Sequence, residues 1–358
     1  MGIIVAIIIF GIIVTVHEFG HFICAKLSGI KVIEFSVGMG PKLLQKKKGE
    51  TAYSLRLLPV GGYCAMEEDI ESDDPRNFRK AKLWKRVIVL AAGAFNNFVL
   101  GFIMIAILIC TLSGVPTNTI SGFVGVRNDD GTATYYAESY NTGLRKQDKI
   151  IRMDETHVYS NLDINFLLAS GKDTFDLVVV RDGEKVELPN VRFHDNYYKE
   201  VEGTDSGGVY DFGLVYNKKN PLTVIKGSGD IFMSMSHIVG LSLKQLVSGE
   251  VSKDDVSGPV GVVSAISETT AQSKGLLDTI SSIAYMTALI TINIGIMNLL
   301  PIPGLDGGRL LFCLIEFVRR KPVKPEHEGY VHLAGMVLLF GIMIFATYND
   351  IVRLVTGG

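Results

Sequence analysis

The sequence predicts a polytopic α-helical membrane protein of about four transmembrane helices, with a membrane-associated β-region and one soluble α+β domain inserted between spans. Three observations predict it. Hydrophobic residues make up 47% of the 358 positions and mean hydropathy is +0.30, too apolar for an ordinary soluble enzyme. That apolarity is gathered into runs at about 2–25, 87–112, 279–302 and 330–347, each long enough to cross a hydrocarbon core of about 30 Å. Between the second and third runs lies a polar stretch of about 116–275 with no cysteine, so it is not a disulfide-stapled module. The formal charge of −2 gives no concentrated basic surface of the kind nucleic-acid binding needs.

The first run lacks a basic leading segment and an A-x-A cleavage site, so it reads as a retained transmembrane helix rather than a signal peptide. Inside it stands His17-Glu18-Phe19-Gly20-His21. Residues four apart share a helix face, so His17 and His21 can aim ring nitrogens at one metal ion. Glu18 lies beside that face, where a carboxylate can act as a proton acceptor for water. A zinc ion held by two imidazoles needs a third protein ligand and an open position. Three fixed positions arise by chance in roughly one chain of this length in a hundred. The setting sharpens the signal, because ionisable side chains at membrane depth are costly and usually face a functional interior.

Lysine and arginine set the orientation. Twelve of them lie between the first and second runs, from Lys31 to Arg86, and Arg319, Arg320, Lys321 and Lys324 lie between the third and fourth. Both stretches are therefore expected on the cytoplasmic side, with the N-terminus, the inserted domain and the C-terminus outside. In the first of them, Thr51–Leu57 alternates polar and apolar residues before the turn residues Pro59-Val-Gly-Gly-Tyr63, which predicts short strands or a hairpin against the membrane face. An ordinary juxtamembrane loop is the alternative. In the second run, Gly93 and Asn97 share a face on which a neighbouring helix can approach closely. The soluble stretch predicts strands at 122–126, 149–151 and 175–181, a helical piece at 166–169, and an amphipathic helix near 228–247; Gly258-Pro-Val-Gly-Val262 reads as a tight turn back to the third run.

The third run ends in Asn298-Leu-Leu-Pro-Ile-Pro-Gly-Leu-Asp-Gly-Gly308. Its prolines and glycines must break the helix. Irregular backbone at membrane depth is tolerated only where protein buries it or a wet cavity adjoins it. Asp306 sits in that break, where a metal is a natural partner for the carboxylate. His17 lies nine residues before Lys26, about 13 Å of helix at 1.5 Å per residue. Asp306 ends a span entering from the other side, so both halves of the site fall at similar depth.

Together, the HEFGH of 17–21 and the NLLPIPGLDGG of 298–308 resemble the site-2 proteases, zinc-dependent intramembrane proteases. The finer likeness is to the bacterial RseP-type branch, through Glu34–Lys42, Leu58–Tyr63, Ala91–Asn97 and Gly258–Gly261. The resemblance implies one zinc ion per chain held by His17, His21 and Asp306, with Glu18 as the base. It implies that Asn298 and Pro301 border the substrate and that Gly61 and Gly62 belong to a strand presenting its edge to it. Asn97, from the residues themselves, is a candidate holder of substrate backbone or of the developing oxyanion. The domain plan is then 1–28, the first span with its motif; 29–85, the cytoplasmic β-region; 86–113, the second span; 114–195, a single PDZ-like domain; 196–277, an extracytoplasmic linker with amphipathic helices; 278–318, the third span with its break; and 319–358, a loop, the fourth span and a short tail. Gln147-Asp148 and Tyr135-Tyr136-Ala137 stand where the family's PDZ carries Gly-Asp and a small-residue turn. The implied activity is cleavage within transmembrane segments of single-pass proteins, anti-sigma factors or remnant signal peptides for example, in a bacterial cytoplasmic membrane, after a first cut outside. The partners are those substrates and the lipid bilayer. A catalytically inactive PDZ-bearing scaffold is the competing class, against which stands the retention of both histidines, Glu18 and Asp306.

Overall fold

The computed structural model describes residues 2–68, 72–127, 133–135, 137–193, 211–249 and 258–356. The chain divides into two compact units, one of residues 1–104 and 242–358, the other of residues 105–241.

The first unit is built on helices. α1 (Gly2–Leu27), α2 (Leu83–Thr111, which runs on into the second unit), α7 (Leu276–Leu299) and α9 (Pro325–Thr356) are each long and apolar enough to cross a membrane, four such helices among the described residues. α1 buries Ala6, Ile9, Ile13, His17, Gly20, His21 and Ala25, a stripe three or four residues apart. The two histidines thus continue the packing face of the helix. At Gly20 α1 comes against the α2 backbone: a methyl there would stand 2.3 Å from the Ala92 carbonyl oxygen. The apolar side of the packing is completed by Ile9 and Ile13 against Ile266, Ile283, Ile290 and Leu100.

Between α1 and α2 the β-region is larger than the short hairpin expected. β1 (Val32–Lys48) and β2 (Thr51–Met66) each fold back at mid-length. Residues 34–37 pair with 52–55 on one side and with 62–65 on the other, while 42–48 pair with 51–56. The spatial order is therefore 62–66, 32–37, 51–56, 42–48, a curled ribbon whose outer pairs run antiparallel and whose central pair, 34–37 beside 52–55, has a parallel register. Left-handed glycines, Gly38, Gly40 and Gly61, stand at the irregular middle of the strands where the direction changes. Among the described residues the 62–66 run pairs on one side only.

The third span breaks where the prolines and glycines demand. α7 stops at Leu299 and α8 (Asp306–Arg319) begins at Asp306, so the segment 278–318, expected with a break, is two helices around a short loop. The Gly258–Val262 segment differs from expectation. It forms the start of α6 (Pro259–Ala271), with Gly258 as N-cap and Pro259 in the first helical position, where a missing N–H costs nothing. Asp350 of α9 receives the free N–H groups of that end, from Gly258 at 3.0 Å and Gly261 at 2.7 Å.

The second unit holds a sheet in the order β10 (Phe212–Asn217), β3 (Val115–Phe123), β6 (Lys149–Met153), β8 (Thr174–Arg181), β9 (Glu184–Arg192), with β7 (Thr156–His157) beside β6. A second small pair joins β4 (Gly125–Arg127) to β5 (Ala133–Tyr135). Phe175, Leu177 and Val179 alternate inward on β8 and meet Ile120, Ile150, Ile164 and Phe212. The helix expected at 166–169 is α4 (Asn161–Leu168), started by a capping box of Ser160 and Asp163. α3 (Glu138–Asn141) is a single turn. The amphipathic helix expected near 228–247 is α5 (Pro221–Ser248), and β10, from a stretch expected to be linker, closes one side of the sheet. Tyr136 and the polar segment 194–210 lie outside the described residues.

Asp148, from the Gln147-Asp148 pair, is fully buried in this unit. Its carboxylate accepts from Arg181 Nε at 2.8 Å and Nη2 at 2.7 Å and from the Arg145 backbone at 2.7 Å. The hydrogen bonds to Asp148 outweigh the opposing effect of burial and hold the Arg181 guanidinium above its ordinary pKa. Asp148→Ala leaves the Arg181 guanidinium and the Arg145 N–H without their acceptor and should cost this unit about 1–3 kcal/mol. Thermal unfolding of the purified chain, followed by protease protection of residues 115–217, measures it; unchanged protection would contradict the structural role.

Candidate metal centre

The site lies wholly within the first unit. α1 delivers His17 and His21 on its buried face, one turn apart, and the end of the α7–α8 loop delivers Asp306. His17 Nε2 is 3.0 Å from Asp306 Oδ2, His21 Nε2 is 3.1 Å from the same oxygen, and the two Nε2 atoms are 3.1 Å apart. A tetrahedral zinc ion with bonds of about 2.0–2.1 Å separates its ligands by about 3.3 Å. The triangle of donors therefore fits such an ion with almost no movement. Asp306 is also the first residue of α8, where free backbone N–H groups favour a carboxylate.

Each ligand candidate has its own support. The Val89 carbonyl accepts from His21 Nδ1 at 2.7 Å, which leaves His21 Nε2 with a lone pair. Nothing in the sequence marks a backbone carbonyl for this task. Gly93 explains how two imidazoles fit against α2: a methyl there would stand 2.4 Å from His21 Nε2 and 2.6 Å from His17 Cε1. Asp306 is set by the loop before it. Gly304 takes a φ of +99° and its N–H donates to His332 Nδ1 of α9 at 2.9 Å, while Gly307 lies so close to Leu300 that no Cβ fits. One turn on, Arg309 forms a paired ion bridge with Glu68, just beyond β2, at 2.9 and 3.3 Å.

Glu18 is held by the β-region. Its Oε2 accepts from the Cys64 backbone N–H at 2.9 Å, and the Cβ direction of Gly62 points to Glu18 Cγ at 3.8 Å. Burial, and then the Glu18 carboxylate beside it, push the Cys64 thiol up to about 12, so it stays protonated. Glu18, His17, Asp306 and Asn298 share one open cavity of ≈ 270 Å³, lined also by Val14, Ile294, Gly304 and Leu305. Asn298 lines the same cavity as Glu18 and two of the ligand candidates. Pro301 is exposed in the loop and does not line that cavity. Gly61, at φ +86°, and Gly62 lie in the one-sided strand next to Glu18.

Asn97 departs from expectation. It is 0% exposed, does not line the cavity, and turns its Nδ2 to His17 Nδ1 at 3.3 Å. A side chain walled in behind an imidazole has no face to offer a substrate.

Residues 5–342 match the model of peptidase family M50. The chain belongs to this family. Among similar proteins, one from Clostridium perfringens named "Putative zinc metalloprotease" is 34% identical over 98% of this chain and 99% of its own length. A Clostridium acetobutylicum protein of the same description is 33% identical over 98% of this chain and 97% of its own. The Enterococcus faecalis "Probable protease eep" is 30% identical over 98% and 99%. This M50 member is accordingly a zinc metalloprotease and an integral membrane protein.

Gly93→Ala is expected to push the two imidazoles apart and lower bound zinc well below the level of about one per chain that a closed donor set holds. Gly341→Ala, on α9 with open space around its Cβ direction, should leave the metal untouched. Metal analysis of the purified variants reads the difference.

Proposed function

We propose that this protease hydrolyses peptide bonds inside transmembrane segments of single-pass membrane proteins. The observation that carries the reading is the convergence of His17, His21 and Asp306 on one point, beside Glu18, in a cavity walled by helices apolar enough to span a membrane. His17, His21 and Asp306 hold the zinc ion, and their donor set of two imidazoles and one carboxylate suits it. Zinc, when bound, supplies a Lewis acid that polarises the scissile carbonyl and makes a water acidic at neutral pH.

The remaining chemistry belongs to the protein's own residues. Glu18 takes the proton of the attacking water and passes it to the leaving amine. The Cys64 amide orients the carboxylate by occupying one oxygen, which leaves the other for the proton. Asn298, in the same cavity, holds substrate backbone or the developing oxyanion, and Pro301, exposed in the loop outside the cavity, borders the substrate before it enters. A helical substrate hides its peptide groups in its own hydrogen bonds and must unwind before attack. The one-sided 62–66 strand, with Gly61 and Gly62, offers it backbone partners by strand addition.

The charge pattern supports a bacterial cytoplasmic membrane as the location, with the β-region and the α8–α9 connection on the cytoplasmic side and the N-terminus, second unit and C-terminus outside. In this reading the second unit is a single PDZ-like domain that screens substrates already shortened by an earlier cut, as in regulated intramembrane proteolysis of anti-sigma factors or remnant signal peptides.

Glu18→Gln should keep its zinc and lose cleavage of a model transmembrane substrate by about 10²–10⁴-fold. Metal analysis and a reconstituted cleavage assay on the same preparation check both halves; activity near wild type would remove Glu18 from the role of base.

A further inference from the structure

We infer that Asn97 is a positioning residue that sets the tautomer of His17 for ligation. The inference rests on the reading of His17 as a zinc ligand. The two histidines differ in what stands behind them. His21 Nδ1 faces the Val89 carbonyl, which can only accept, so His21 is fixed with its proton on Nδ1 and its Nε2 free to ligate. His17 Nδ1 instead faces the Asn97 amide at 3.3 Å. His17 Nε2 faces Asp306 Oδ2 at 3.0 Å and His21 Nε2 at 3.1 Å, so Nε2 is the nitrogen placed to ligate.

Ligation through His17 Nε2 requires the proton on Nδ1 and an acceptor facing it. Asn97 supplies that acceptor. Its Oδ1 is buried and has no hydrogen-bond partner among the described residues, on a side chain that is 0% exposed. The two ends of the amide fill nearly the same volume, so Oδ1 can face His17 and accept from Nδ1–H. The backbone that presents it is fixed, since the Asn97 carbonyl accepts from Thr291 Oγ1 at 3.2 Å.

The test uses the full-length detergent-solubilised chain and zinc affinity measured by chelator competition, with cobalt(II) absorption as a second readout. Asn97→Leu removes the acceptor at similar volume and should weaken zinc binding about 10–100-fold, the usual effect of losing a partner to a metal-bound histidine. Asn97→Asp is acceptor only, so it should hold zinc as tightly as wild type or more tightly and keep the tetrahedral cobalt bands, which fade in Asn97→Leu. A merely space-filling residue predicts the opposite, with Asn97→Leu like wild type or Asn97→Asp as weak as Asn97→Leu; either result overturns the inference. Should Asn97→Leu fail to fold in a thermal melt, Asn97→Asp decides alone, since a tenfold loss of zinc there is incompatible with an acceptor role. His17→Ala separates the levels. Wild-type zinc affinity in that variant removes His17 as a ligand, and the inference with it, whereas weak binding there beside wild-type affinity in Asn97→Leu removes the inference alone.

Discussion

Three lone-pair donors held about 3 Å apart in apolar surroundings repel one another unless a cation or a proton lies between them. Much of the first unit reads as the answer to that constraint. Small residues let α1 and α2 approach until the imidazoles have nowhere to swing, with Gly20 at Ala92 and Gly93 under both rings. The break after Leu299 turns the chain so that a carboxylate arrives at a helix N-terminus facing the same point. Ion pairs farther out, Arg309 with Glu68 and Arg86 with Glu316, tie α8 to the β-region and to α2. Such pairs contribute modestly to stability when half-exposed, and their use here is to fix the angle at which Asp306 is presented.

The parts of this arrangement legible in the sequence are those written in local spacing. His17 and His21 are four residues apart on a helix that is apolar elsewhere, so their shared face follows from helical geometry. Asp306 follows from the helix break, because prolines and glycines at that density forbid any regular continuation. The four apolar runs agree with α1, α2, α7 and α9 to within a few residues, except that α9 extends through polar ends that hydropathy does not reward. What local spacing cannot carry is pairing. Alternation in 51–57 indicates a strand, yet it is silent on a strand that pairs along both edges and folds back at its middle, as 34–37 do. Gly258-Pro259 is equally compatible with a turn and with an N-cap followed by a first helical residue, and only the Asp350 carboxylate, some ninety residues on, decides between them.

Asn97 shows the same limit at the site. A polar residue on an apolar span must have a partner, and the sequence says no more than that. Its partner proves to be the rear nitrogen of a histidine rather than anything in the cavity. The Val89 carbonyl behind His21 carries no sequence signal at all, since every residue offers one. The identity of ligand candidates is thus readable from side chains, whereas what orients them is largely a property of backbone proximity.

The anchoring of Glu18 to the Cys64 amide reaches beyond those two residues. That amide belongs to the outer strand of the β-ribbon, which among the described residues pairs on one side only, and just beyond it Glu68 joins Arg309 of the helix that begins with Asp306. Glu18, the strand and Asp306 are therefore neighbours through one hydrogen bond and one ion pair, so the same strand borders both the carboxylate and the aspartate.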